Sequence, residues 1–222
     1  MNKKIMIFVT AMVLVMAMAT GATFAYLFAS GNTITNTFKP TLIGAPTVAE
    51  TKTDFTVTPG VAIDKDPTVK YTPDSASGTK IGTVVLYATL NLKGSTWSYA
   101  SNKFTYTDAS KNTLDFSINT TNWVYVGKNN SGLHVLAHVK VLSGSATSSA
   151  LPVIANNKVN VSTGWTEDQL QTAFGASGVQ IIVSSSVVQA KPTITGAANT
   201  AVSAANAKTL WNTFSTTAND IP

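Results

Sequence analysis

Short runs of alternating apolar and polar residues, separated by turn residues, run through most of the chain. Asp54-Phe-Thr-Val-Thr58 alternates with period two and stops at the turn pair Pro59-Gly60. Thr68–Tyr71 repeats the pattern, and small polar residues make a loop of 74–79. The strongest run is Ile81 to Leu92, which places Val84, Leu86, Ala88, Leu90 and Leu92 on one face of a strand. Lys103–Thr107 and Leu114–Ile118 flank an Asp-Ala-Ser-Lys-Asn turn. Trp123–Val126 and Leu133–Leu142 flank Lys128-Asn-Asn-Ser-Gly132, which reads as a hairpin loop. Val153-Ile154 and Val159–Val161 are shorter strand signals. Val179–Val188 is nearly continuous in apolar residues, broken by Ser184-Ser-Ser186, and predicts a strand in the middle of a sheet with both faces covered.

Two segments depart from this period. Thr166-Glu-Asp-Gln169 is a capping box with acids in the first turn and Gly175 as the stop, so a helix is predicted between them. Leu170, Ala173 and Phe174 give it an apolar side. Ala204 to Phe214 predicts a second short helix with Leu210, Trp211 and Phe214 turned inward. Many short strands with turns every few residues, plus one or two short helices, indicate an all-β chain folded as an antiparallel β-sandwich. No internal repeat and no interdomain linker is visible.

The N-terminus has its own pattern. Asn2-Lys-Lys4 precedes an apolar stretch from Ile5 to about Ala19, followed by small residues up to Ala25. A basic start, an apolar stretch and a small-residue boundary make a secretory signal peptide of residues 1–25. The stretch from Ile5 to Ala25 is also long enough to cross a bilayer, so a retained anchor is the competing reading. Ala17-Met-Ala19 and Thr23-Phe-Ala25 both fit a small-x-small cleavage rule, and the second places the cut between Ala25 and Tyr26. Residues 26–38 carry no charge and read as one extended segment ahead of Lys39-Pro40; the sandwich domain then runs from 39 to 222.

Composition narrows the function. Charged residues make up 11% of the chain, against about 25% in ordinary soluble domains. Thr, Ser, Val and Asn replace them, leaving strand edges without the usual charged protection. The formal charge is +5, and every cation is a lysine. Removing Lys3 and Lys4 leaves 13 lysines against 10 acids, or +3. A weak, dispersed charge without arginine argues against nucleic acid as a partner. The absence of cysteine excludes thiol nucleophiles, iron–sulfur clusters and cysteine-based zinc sites.

The candidate chemistry is sparse. His134 and His138 lie in an alternating segment, where they share a strand face about 13 Å apart at roughly 3.3 Å per residue. That separation is too large for one zinc, and no glutamate stands between them as a base. Asp64-Lys-Asp66 is the one close acidic pair outside the helix start; it reads as a solvated turn, with a calcium site or carboxylate dyad as the alternative. Asn119, Asn129 and Asn160 head glycosylation sequons. No Gly-x-Ser-x-Gly elbow and no glycine-rich phosphate loop is present. No catalytic residue, metal or cofactor is therefore expected, and the chain reads as a building block and not an enzyme.

The run Ala22-Thr-Phe-Ala-Tyr-Leu-Phe-Ala-Ser-Gly-Asn-Thr-Ile-Thr-Asn-Thr-Phe38 resembles the junction of TasA/camelysin-type proteins. Trp123-Val-Tyr, Leu142-Ser-Gly-Ser-Ala-Thr, Val159-Asn-Val, Val179-Gln-Ile-Ile-Val and Ala207 to Trp211 extend the likeness over most of the chain. Members of that family carry a signal peptide cut by a dedicated signal peptidase of the SipW type. The resemblance implies a jelly-roll-like sandwich, secreted to the cell surface or extracellular matrix, that polymerises head to tail into biofilm-matrix fibres. It implies that residues 26–38 act as a donor strand entering the next subunit, with Leu27, Phe28, Ile34 and Phe38 filling its pockets. Its partners are then further copies of itself, the signal peptidase during export, and an accessory or anchoring matrix protein. Two other readings stand beside it. Trp97, Tyr99, Trp123 and Tyr125 would form the aromatic platform of a carbohydrate-binding or adhesive module, and camelysin-type relatives imply a metalloprotease.

Overall fold

The computed structural model describes residues 44–51, 55–73, 82–94, 96–174 and 178–222. The strands in the first half are β1 (Pro46–Ala49), β2 (Ile63–Asp64), β3 (Thr68–Tyr71), β4 (Thr83–Lys93), β5 (Trp97–Ala100), β6 (Lys103–Thr107) and β7 (Thr113–Ser117). Those that follow are β8 (Trp123–Lys128), β9 (His134–His138), β10 (Leu142–Ser143), β11 (Leu151–Pro152), β12 (Lys158–Val161) and β13 (Gln180–Gln189). Three short helices join them: α1 (Glu167–Phe174), the single turn α2 (Pro192–Thr195) and α3 (Ala204–Phe214). Every strand pairing is antiparallel, as the turn-punctuated pattern predicts.

The chain folds as an all-β sandwich. One sheet is built on β4, which has β13 on one side and β10 and β9 on the other, with β8 beyond β9. The opposing layer holds the order β2-β12-β7-β6-β5 and the three-stranded β1-β3-β11. The inter-sheet core brings Val84, Leu86, Ala88 and Leu90 of β4 against Phe104, Phe116 and Val159. The inward face expected of Val84, Leu86, Ala88, Leu90 and Leu92 is therefore the observed one, with Leu92 half-buried at its end.

The reverse face of β4 is buried as well. Val85 and Tyr87, with Val135 and Ala137 of β9, pack beneath Ala207, Leu210 and Trp211 of α3. Ser203 caps that helix by accepting from the Asn206 N–H, a residue type suited to the role. Tyr87 meets Trp211 edge-on at 5.0 Å between ring centroids and donates its hydroxyl to the Ala207 carbonyl at 2.9 Å. Burial pushes the Tyr87 pKa well above its ordinary value. Tyr87→Phe is expected to lower unfolding free energy by about 1 kcal/mol through loss of this buried hydrogen bond. Urea denaturation checks it; an unchanged midpoint contradicts the assigned bond.

Several expectations are corrected. Phe55–Thr58 joins no ladder: a strand needs a partner edge, and here the chain runs over the sandwich rim to the turn at Pro59-Gly60. Asp54, the expected loop 74–79, Ile81 and Gly175 lie outside the described residues. Phe214 does not turn inward but is 52% exposed at the end of α3, with Lys191 Nζ 5.2 Å from its ring centroid. Leu133–Leu142 is no single strand, because the chain leaves the sheet after His138 and returns as β10. β1 and β5 are strands of four residues each, too short for the alternation to announce them. The capping box stands as read: Gln169 Oε1 accepts from the Thr166 N–H at 2.9 Å, and Thr166 Oγ1 accepts from the Gln169 N–H at 3.4 Å.

Candidate functional site

The two histidines occupy the inward face of β9, and each is committed to a local partner. His134, 9% exposed, has Nδ1 3.0 Å from the Tyr125 hydroxyl and its ring edge-on to Phe104. His138 has Nδ1 2.8 Å from the Lys140 carbonyl and packs edge-on to Trp123. Burial, with a smaller contribution from Lys128, pulls the His134 pKa down to about 4, and burial lowers that of His138. These are satisfied core histidines.

Their titration has a consequence for stability. An unfolded histidine titrates near pH 6.5. Between there and about pH 4 the unfolded chain binds a proton that folded His134 refuses. Stability is therefore complete above pH 6.5 and falls as the pH drops through that window, by about 2–3 kcal/mol for His134 alone. Thermal melts at pH 7 and 4.5 test this, and His134→Gln should flatten the dependence; an identical slope in the variant contradicts the assignment.

The acidic pair is split between different partners. Asp64 pairs with Lys158, whereas Asp66 accepts from the Thr51 N–H at 3.0 Å and from its hydroxyl. The Thr51 hydroxyl holds the Asp66 carboxyl below its ordinary pKa. Lys65 between them turns the other way, 2.8 Å from Glu50. The carboxylates therefore share no site.

The four aromatics do not make one platform either. Trp123 is 1% exposed and donates Nε1–H to the Pro152 carbonyl at 2.9 Å. Tyr99 and Tyr125 stack on each other with centroids 3.9 Å apart, and Trp97 packs against Tyr106 and Phe116. Three are half-buried and one belongs to the core.

The feature that stands out is β13. Its composition predicts the middle of a sheet, but it pairs along its length with β4 and forms no second ladder among the described residues, although β1 lies close against it. It is an edge strand. The register is unbroken from Gln180 opposite Lys93 to Gln189 opposite Val84. Beyond its end, the Ala190 N–H donates to the Thr83 carbonyl at 2.8 Å. Antiparallel alternation then directs the ladder bonds of the even-numbered residues to β4. The N–H and C=O groups of Ile181, Val183, Ser185, Val187 and Gln189 point to the edge away from β4, which β1 approaches without joining it in a ladder.

This edge is about 33 Å long at roughly 3.3 Å per residue. It carries no charge and no proline, the devices that normally blunt an exposed edge. Ile181, Val183 and Val187 direct their side chains at the inter-sheet core, so a strand added here would continue the core's inner surface. Beside the first residues of β13 lies a groove of about 420 Å³, walled by Phe55, Val57 and Ile63 on one side and Val179 and Ile181 on the other. Gln180, Ser184 and Ser186 alternate with Ile181, Val183 and Val187, which marks one outer and one core-facing side of the strand, with Ile182 and Val188 also on the outer side.

The cleavage pair Ala25 and Tyr26, and the donor positions Leu27, Phe28, Ile34 and Phe38, lie outside the described residues. Among those described, no helix is long and apolar enough to cross a membrane. The chain matches no protein-family model, no curated protein and no solved structure.

Proposed function

We propose that this chain is a secreted structural subunit, and not an enzyme, that polymerises into extracellular matrix fibres by strand addition. The uncharged edge of β13, which forms no second ladder among the described residues, is the observation that carries the reading. Residues 26–38 of one copy pair with that edge in the next copy. They gain main-chain hydrogen bonds along the strand, and alternate side chains enter the inter-sheet space. Leu27, Phe28, Ile34 and Phe38 would each contribute about 1.5–3 kcal/mol on burial. A donor segment and an acceptor edge that are different surfaces make a heterologous contact, which builds filaments where the rotation does not close. Removal of residues 1–25 frees the donor on export, and an accessory or anchoring matrix protein would hold the fibre at the cell.

The alternatives draw less support. The four-aromatic carbohydrate platform loses Trp123 to the core, and its other three rings are half-buried. A camelysin-like metalloprotease needs a cluster of metal ligands, and no three His, Asp or Glu side chains stand together among the described residues.

Electron microscopy of the chain beginning at Tyr26, beside one beginning after residue 38, tests the proposal. Filaments from the longer chain alone are expected. Filaments from both chains would remove the donor role from residues 26–38, and none from either would remove the fibre reading.

A further inference from the structure

The groove beside β13 is flanked by a segment that behaves differently from the strands around it. Residues 55–62 cross the open rim between β13 and β2 without entering either ladder. Phe55 and Val57 are half-buried, and Val57 packs against the inter-sheet core. Among the described residues the main-chain bonds of 55–62 are few: Val61 N–H to the Thr58 carbonyl at 3.1 Å, within the segment, and Gly60 N–H to the Ser162 carbonyl at 3.2 Å. Val61 is 55% exposed. The segment fills apolar space but has little of the hydrogen bonding that makes an edge strand permanent.

Its root is held much more firmly than its span. Lys65 Nζ lies 2.8 and 3.1 Å from the two Glu50 carboxylate oxygens, and 5.0 Å from the Phe55 ring centroid. Thr51 donates its N–H and hydroxyl to Asp66. These contacts close the loop at its base. Away from the base, the tip is tied to the body at Gly60, against residues 162 and 163.

Resting on the strand-addition reading above, we propose that residues 55–62 are a placeholder strap: Phe55 and Val57 occupy the rim of the acceptor groove before assembly and must swing out to admit the incoming strand. The groove in its present form runs beside residues 179–182 only. A ladder along all of β13 needs the opposite wall, Phe55 and Val57, to give way. The strap therefore sets the assembly rate, because a subunit accepts a donor only in the fraction of time its strap is open.

The test is to tie the tip down. A Cβ built on Gly60 lies 3.9 Å from Thr163 Cβ, within the 3.5–4.5 Å that a disulfide requires. The chain has no native cysteine to compete. The variant is G60C/T163C in the chain beginning at Tyr26. Since Gly60 has φ +72°, the reduced form reports the cost of the substitutions themselves. With the root already clamped, the oxidised bridge holds Phe55 and Val57 in place. The expected result is filament growth in the reduced protein, a loss of at least about tenfold in rate on oxidation, and recovery on adding reductant. Equal growth in both forms overturns the strap.

Asp66→Asn provides an independent reading through a looser root, for the case where reduced G60C/T163C itself fails to assemble. Its lag should shorten several-fold relative to the unsubstituted chain, and an unchanged or longer lag overturns the proposal. Failure of the unsubstituted chain to form filaments is a different outcome, and it removes the fibre reading itself.

Discussion

Ser185→Pro in β13 is expected to abolish filament formation while leaving the monomer within about 1 kcal/mol of its original stability. Residue 185 directs its N–H to the free edge, so a proline there removes no bond to β4. Its side chain lies opposite Ala88, a small neighbour that leaves room for the ring. The preceding Ser184 is already extended, as a residue before proline prefers to be. An incoming strand, however, loses a ladder bond at the centre of the edge and meets the proline ring. The neighbouring substitution Ser184→Pro should do the reverse, because residue 184 bonds to β4: it deletes a native ladder bond and destabilises the sandwich by about 3 kcal/mol. Urea denaturation and electron microscopy on the two variants read both effects. Loss of filaments with Ser184→Pro alone, at unchanged stability, would show that the assembling face is not this edge.

Trp123→Ala is expected to cost about 3–5 kcal/mol, a large part of the 5–15 kcal/mol that holds a typical domain together. The indole is 1% exposed, packs on His138, and satisfies the Pro152 carbonyl with its ring N–H. Its removal leaves both a cavity and an unpaired carbonyl. For a domain of this size the melting temperature should fall by about 10 °C or more. A loss below about 0.5 kcal/mol, the range of surface substitutions, would return Trp123 to the surface and revive the aromatic-platform reading.

The strongest elements were legible because their cause is local. The inward face of β4 follows from period-two spacing within one strand, and the start of α1 follows from four consecutive residues of a capping box. What depends on distant partners was not legible. Val85 and Tyr87 are covered by α3, whose Trp211 lies far along the chain from either, so the alternation of β4 gives no hint of its second buried face. Phe55-Thr-Val57 has the period of a strand but no edge to pair with. β13 has the composition of a central strand, yet among the described residues it forms no second ladder, though β1 lies close by. That gap is what a protein built to receive a strand from another copy should have. The lack of charge that marked the whole chain acquires a location there. The pairing of His134 with Tyr125 was open to the spacing argument only as far as placing the ring on a strand face; its partner nine residues earlier follows from the β8–β9 hairpin.

Residue-level amide hydrogen exchange tests the central claim most directly, comparing the chain beginning after residue 38 with and without a peptide of residues 26–38. The account predicts new protection at Ile181, Val183, Ser185, Val187 and Gln189, whose N–H groups face the free edge. The intervening amides, already bonded to β4, should change little. No change in β13, or protection that ignores this alternation, would contradict strand addition at this edge.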